Sequence, residues 1–239
     1  MKEILARDEV HDWLIGALSR ERKGVLLDVP AGTGALAVRL KEMGFSVFCC
    51  DINPSLFSAD PIEIRKGDLS ASLPYSSNSL DFITCIEGLE HVENPFNAIR
   101  EFHRLLRPGG RLFLSLPNYL NIERRMKFLV TGLFSKVPSP RKLGKDRFDD
   151  LSMLHLSPLT YPVLKLILEH SGFKILRVER DKKKKRMKWF LPIVWSIRFY
   201  CFFWPKEKWE AYHLRETLSP PVMMGGNTLI LVAEKGRNQ

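Results

Sequence analysis

The stretch Val25–Gly34, VLLDVPAGTG, constrains this chain more than any other part of it. An apolar run suited to a buried strand leads into Asp28 and then into a glycine loop, Gly32-Thr33-Gly34. Helical spacing follows at once, at Leu36, Val38, Leu40 and Met43. Strand, glycine turn and helix in that order open a parallel α/β unit. The glycines let backbone approach a ligand, and the helix N-terminus adds a positive field. Two more acids close two more apolar stretches, Asp51 after FSVFCC and Asp68 after IEIRKG. Acids at successive strand ends predict a nucleotide-type pocket along the carboxyl edge of a parallel sheet.

The rest of the chain extends that alternation. A leading helix is expected over 8–22, from Val10, Trp13, Leu14 and Leu18. Strands are expected at Gly24–Val29, Phe45–Cys50, Ile62–Lys66, Leu80–Ile86, Arg111–Leu116, Phe173–Val178 and Asn227–Ala233. Helices are expected from Pro95 to Leu106, stopping at Pro108-Gly109-Gly110, and from Pro158 to His170. Pro54 and Pro61 leave room for at most two helical turns between strands two and three, so that edge is trimmed. Two long stretches interrupt the pattern. The first, 117–156, starts amphipathic (Tyr119–Phe134) and turns polar and basic (Pro138–Asp150); the second is 181–224. Insertions that long in a compact fold are usually functional. One α/β domain over 1–239 is expected.

Gly32-x-Gly34-x-x-Ala37, with Asp51 at the ribose-reading distance, also fits a dinucleotide fingerprint. Asp28 argues otherwise, because it precedes the glycines. A diphosphate would be repelled there, and the ammonium of an amino-acid-like ligand would be held. Asp68 supplies a further acceptor where a purine edge could lie. Together with SLDFITCIEGLEHV and LLRPGGRLFLSLPN, these residues resemble the class I S-adenosylmethionine (SAM)-dependent methyltransferases. The likeness is strong over residues 24–118 and looser beyond. It implies a Rossmann-like, doubly wound fold with seven mostly parallel strands and an antiparallel last strand.

It also implies a cofactor site. Asp28 would bind the methionine amino group. Gly32 and Gly34, beside Ala31, would line methionine and ribose. Asp51, followed by Ile52, would accept from both ribose hydroxyls. Asp68 would face the adenine amino group, with the Leu69 backbone at the ring edge, and Glu87 after strand four would also line the cofactor. Pro30 stands where glycine is more frequent and stiffens the turn without removing a ligand group. TCIEGLEHVENP is similar to the ubiquinone-biosynthesis O-methyltransferases. If a helical turn starts after strand four, Glu87, Glu90 and His91 share one face. In some relatives such sets bind a divalent metal that lowers a hydroxyl pKa. In many others the same pair shapes the pocket floor without metal. Methyl transfer rests mainly on in-line positioning. A hydroxyl acceptor must also lose its proton, for which His91 is the first candidate base, with Glu87 beside it. His155, from the roof, is the second; His103 is expected at the surface.

Charge is distributed unevenly. Residues 1–173 hold 22 Lys/Arg and 21 Asp/Glu, whereas residues 174–215 hold 13 and 4. Six basic residues within Lys182–Lys188 precede 189–204, which holds eight aromatics and one charge, Arg198. Sixteen residues broken by Pro192 are short for a membrane span. They suit an anionic membrane surface, or a lid packed on the core. Relatives of the ubiquinone type also touch membrane through a region after strand five. A small-molecule or lipid-linked acceptor methylated at oxygen follows as the leading expectation. An RNA methyltransferase gripping phosphates with 174–215 is the alternative, although no Asp/Asn-Pro-Pro-aromatic motif follows strand four. A non-catalytic SAM-fold subunit is the third, and it leaves the five-residue set Asp28, Gly32, Gly34, Asp51 and Asp68 without a use. The four cysteines, at 49, 50, 85 and 201, form no CxxC, and the charged N-terminus lacks an apolar leader. A reduced cytoplasm, with contact at the inner membrane face, is the expected compartment.

Overall fold

The computed structural model describes residues 8–137, 155, 157–182 and 184–237. Pro138–Asp150, expected to be a polar, basic part of the first insertion, and Lys183 lie outside the described residues. The strands are β1 (Val25–Asp28), β2 (Ser46–Asp51), β3 (Ile64–Lys66), β4 (Leu80–Ile86), β5 (Leu106–Pro117), β6 (Phe173–Arg180) and β7 (Thr228–Lys235). They form one sheet in the order β3-β2-β1-β4-β5-β7-β6. β1 to β5 pair in parallel, and β7 runs antiparallel to both β5 and β6. The order reverses between β1 and β4, which opens a crevice at their carboxyl ends.

Two helical layers bury the sheet. α1 (Asp8–Leu18) and α2 (Ala35–Glu42) cover one face, where Leu14, Leu18, Leu36 and Leu40 meet Leu26, Phe82 and Phe113. α3 (Pro95–Leu105) and α5 (Tyr161–His170) cover the other, where Ile99, Phe102, Leu164 and Leu168 meet Leu27, Ile83, Leu112 and Leu231. α5 starts three residues later than the sequence suggests, at Tyr161, with Pro162 in its first turn. Between β2 and β3 there is one short turn, Pro54–Leu56, as the two prolines require. β5 begins earlier than expected. The ladder restarts across Arg107-Pro108-Gly109-Gly110, so β4 meets Leu106 first and then Arg111.

The insertions form a helical cap. α4 (Ile122–Thr131) is capped by Asn121, whose Oδ1 accepts from Arg124 N at 2.9 Å, and ends at Gly132 in the left-handed region. After β6 comes a 3-10 turn, Lys185–Phe190, followed by α6 (Leu191–Phe202), α7 (Lys206–Ala211), α8 (Leu214–Thr217) and α9 (Pro220–Met223). Ile122, Met187, Val194, Cys201, Leu214, Leu218 and Met223 form a small apolar core of their own. Much of the basic run serves this cap. Lys182 pairs with Glu9, and Lys184 and Arg186 both pair with Glu123 of α4. Lys182, Lys184 and Arg186 are thus tied to other parts of the fold by ion pairs.

Candidate active site

The crevice begins with Asp28, set opposite Thr84 by the β1–β4 register. Asp28 is only 2% exposed, and Thr84 Oγ1 donates to its Oδ1 at 2.7 Å. Burial pushes this carboxyl up to about 7; the Thr84 hydrogen bond opposes the shift and Asp51 adds to it. A carboxylate so far from water is stabilised by any cation that reaches it.

Asp51 organises the glycine loop. Its Oδ2 accepts from Gly32 N at 2.8 Å and its Oδ1 from Asn53 N at 2.9 Å. Each oxygen keeps a lone pair for a further donor. Gly34, at φ +81, leads into α2, and a Cβ there would lie 2.5 Å from Ala59 Cβ and 2.6 Å from Phe57 Cε2. Only glycine fits that position. Ala31 is buried and Ile52 half exposed beside this loop. Asp68 is exposed and closes its own turn, accepting from Ser70 N at 2.7 Å, and Leu69 is buried behind it.

Beyond β4 the backbone departs from the helical turn that the spacing suggests. Glu87 takes φ +49, its N–H donates to Ser115 Oγ at 3.0 Å, and its Oε1 accepts from Thr228 Oγ1 at 3.0 Å. A tight turn, Leu89–His91, then carries Glu90 and His91. The cluster that forms is Glu90, His91 and His155, with ligand atoms all within 4.8 Å of one another. His155 replaces Glu87 in the expected set, because Glu87 is held by β5 and β7. The roof is fastened close by: Ser157 N donates to Glu90 O at 3.1 Å and Ser157 Oγ to Val92 O at 2.7 Å. The rings of His91 and His155 meet edge to face at 5.0 Å.

The cluster runs from a buried carboxyl, Glu90, to a half-buried His91 and an exposed His155. Glu90 is 2% exposed and its Oε2 has no hydrogen-bond partner among the described residues. Burial pushes its carboxyl up to about 8, with Glu87 adding to the effect. Burial, His91 and Arg124 hold His155 below the usual histidine range, which keeps its ring neutral near pH 7. Tyr119 OH lies 3.2 Å from His155 Nδ1. Two histidines and a buried carboxylate with an orphaned oxygen fit a divalent cation.

A methyltransferase-domain family profile matches residues 27–114. The ubiquinone biosynthesis O-methyltransferase of Pseudomonas paraeruginosa is 33% identical over 166 residues, which are 59% of this chain and 72% of that protein. The chain belongs to the class I SAM-dependent methyltransferases. The Xanthomonas oryzae enzyme of the same name is 35% identical over 102 residues, and the match spans 43% of its length. A SAM-dependent methyltransferase from Archaeoglobus fulgidus shares the fold, with a TM-score of 0.58, 17% identity and 94% of each chain covered.

Within this family fold, two contributors escaped the sequence. Thr84 stands out only as a hydroxyl inside the apolar run FITCI, and Tyr119 only as a ring just past strand five. His103 also differs from expectation. It is half-buried, edge-on to Phe173 at 5.4 Å, and takes no part in the cluster. The four cysteines are buried free thiols, and burial raises all of them. A cavity of about 520 Å³ near Val25, Arg65, Tyr75 and Leu80 lies at the opposite, amino edge of β1 and β4. Arg65 and Arg104 there already pair with Glu63 and Glu101, so the methyltransferase crevice is elsewhere.

Proposed function

We propose that this chain transfers the SAM methyl group to a hydroxyl of a small amphiphilic or lipid-linked acceptor seated beneath His91, His155 and Tyr119. The observation that carries this is the convergence of Glu90, His91 and His155 at the mouth of a crevice floored by Asp28 and Asp51. Asp28 would hold the cofactor ammonium. Asp51, already fixed by Gly32 and Asn53, would take the ribose hydroxyls, and the loop Ala31–Gly34 would approach the methionine. Ile52, Asp68 and Leu69 would frame the adenine side.

In the transfer, the acceptor oxygen attacks the methyl carbon in line. The sulfur–methyl bond breaks, and the sulfur leaves as a neutral thioether with the bonding pair. The acceptor proton passes to the His91–His155 pair, where a neutral imidazole can take it. Tyr119 orients His155. If Glu90, His91 and His155 held a divalent cation, it would take up the imidazole lone pairs and would itself lower the pKa of the acceptor hydroxyl, in place of the histidine base. The alternative of RNA draws less support, since Lys182, Lys184 and Arg186 are spent on ion pairs within the protein.

The test is calorimetric titration of SAM into wild type and Asp51→Ala, followed by methylation of catechol-type acceptors with His155→Ala as control. Binding lost in the first variant and turnover lost in the second are expected. A folded wild type that binds no SAM would overturn the proposal.

A further inference from the structure

Methyl transfer leaves the outer side of α6 without a role. This helix is apolar apart from Ser196 and Arg198, yet the protein covers only part of it. Val194 and Cys201 are buried and Ile197 half-buried on one face, against the cap core. On the opposite face Trp195, Phe199 and Phe202 are 71%, 69% and 74% exposed. Phe203 continues the stripe just past the helix, and Trp189, 85% exposed, precedes it. Positions 195, 199, 202 and 203 fall on one side at helical spacing. Arg198, the single charge of α6, is exposed beside this stripe, three residues after Trp195, with Nη2 donating to Leu218 O at 2.8 Å.

Charge frames this stripe. Lys188 lies exposed before α6, and Lys206 and Lys208 lie exposed after it. Lys208 Nζ sits over the Trp204 ring at 5.2 Å. A patch of exposed rings edged by cations is rare on a surface that faces only water.

We propose that α6 lies flat in the surface of an anionic lipid bilayer, its aromatic side at the acyl-chain boundary and Lys188, Lys206 and Lys208 among the headgroups. Its 12 residues span about 18 Å, against about 30 Å of hydrocarbon, so the helix lies along the membrane and does not cross it. No described helix is long and apolar enough to cross. Aromatic rings prefer the interfacial depth, and each lysine near an anionic surface strengthens binding roughly fivefold. A second copy of the chain fits less well, because both partners would bring the same basic flanks together.

The full-length protein should co-sediment with phosphatidylcholine vesicles containing phosphatidylglycerol at least about 10-fold more strongly than with phosphatidylcholine alone. Brominated acyl chains should quench its tryptophan emission. Trp195→Glu combined with Phe199→Glu should weaken sedimentation by about 10-fold or more, with SAM affinity and unfolding midpoint unchanged. Three results would overturn the proposal: no sedimentation with either vesicle, undiminished sedimentation of the double variant, or a dimer abolished by that variant without vesicle binding. Vesicle binding by a protein that takes no SAM would sink the methyl-transfer proposal and leave the docking intact.

Discussion

Replacing Asp28 by Asn should separate the stability of this fold from its ligand binding. The folded carboxyl titrates at about 7, against an ordinary value of 3.8, because it is buried. A group whose pKa is raised on folding stabilises the native state fully below its unfolded value, and that stability is lost as pH rises through the folded value. For Asp28 the loss therefore runs from about pH 4 to about pH 7 and amounts to about 4 kcal/mol at ~1.4 kcal/mol per pH unit. Asn keeps an oxygen for the Thr84 hydroxyl and carries no charge. Its advantage over wild type should be larger at about pH 8 than at about pH 5 by roughly 2–3 kcal/mol, and this difference cancels any fixed cost of the amide. Melting of the SAM-free protein should show it as a gap of roughly 4–12 °C that opens with pH. The same variant should bind SAM roughly 10- to 100-fold more weakly, having lost a charge-assisted hydrogen bond of about 1.5–3 kcal/mol. A stability difference independent of pH would refute the assignment of a strained carboxylate.

Other substitutions probe the site at separate points. Gly34→Ala must adopt φ +81 with its Cβ 2.5 Å from Ala59, so urea unfolding should register a loss of about 2–4 kcal/mol. His91→Ala or His155→Ala should lower kcat by about 100-fold or more while calorimetry finds SAM affinity unchanged; a parallel fall in both would indicate collapse of the roof. Saturating Mn²⁺ should raise the melting temperature of wild type, by about 2.7 kcal/mol of stability at ~100 times Kd, and leave Glu90→Gln unmoved. An equal response of the two proteins would place the ion elsewhere.

The sheet was legible because its strands end on marks that local chemistry imposes. Asp28 and the glycine loop terminate β1, Asp51 terminates β2, and the Pro108-Gly109-Gly110 turn separates α3 from the main ladder of β5. The short crossover followed from Pro54 and Pro61 alone. What stayed hidden depended on distant partners. Glu87 leaves the helical spacing because Ser115 and Thr228, 28 and 141 residues away, hold it in a left-handed turn. His155 meets His91 only because Ser157 ties back to Glu90 and Val92. The ion pairs of the basic run were hidden because Glu9 and Glu123, which take up Lys182, Lys184 and Arg186, lie far off in sequence.

The Ser157 tie has an evolutionary side. It anchors the downstream end of the first insertion two residues from His155, while Asn121 anchors the upstream end through Gly226 O at 2.7 Å. Sequence between Asn121 and the His155–Ser157 stretch can lengthen, shorten or change composition while the Ser157 tie still holds the histidine. A lineage of such enzymes can therefore explore new acceptors by rewriting the stretch between the anchors and still inherit the histidine pair proposed to take the acceptor proton.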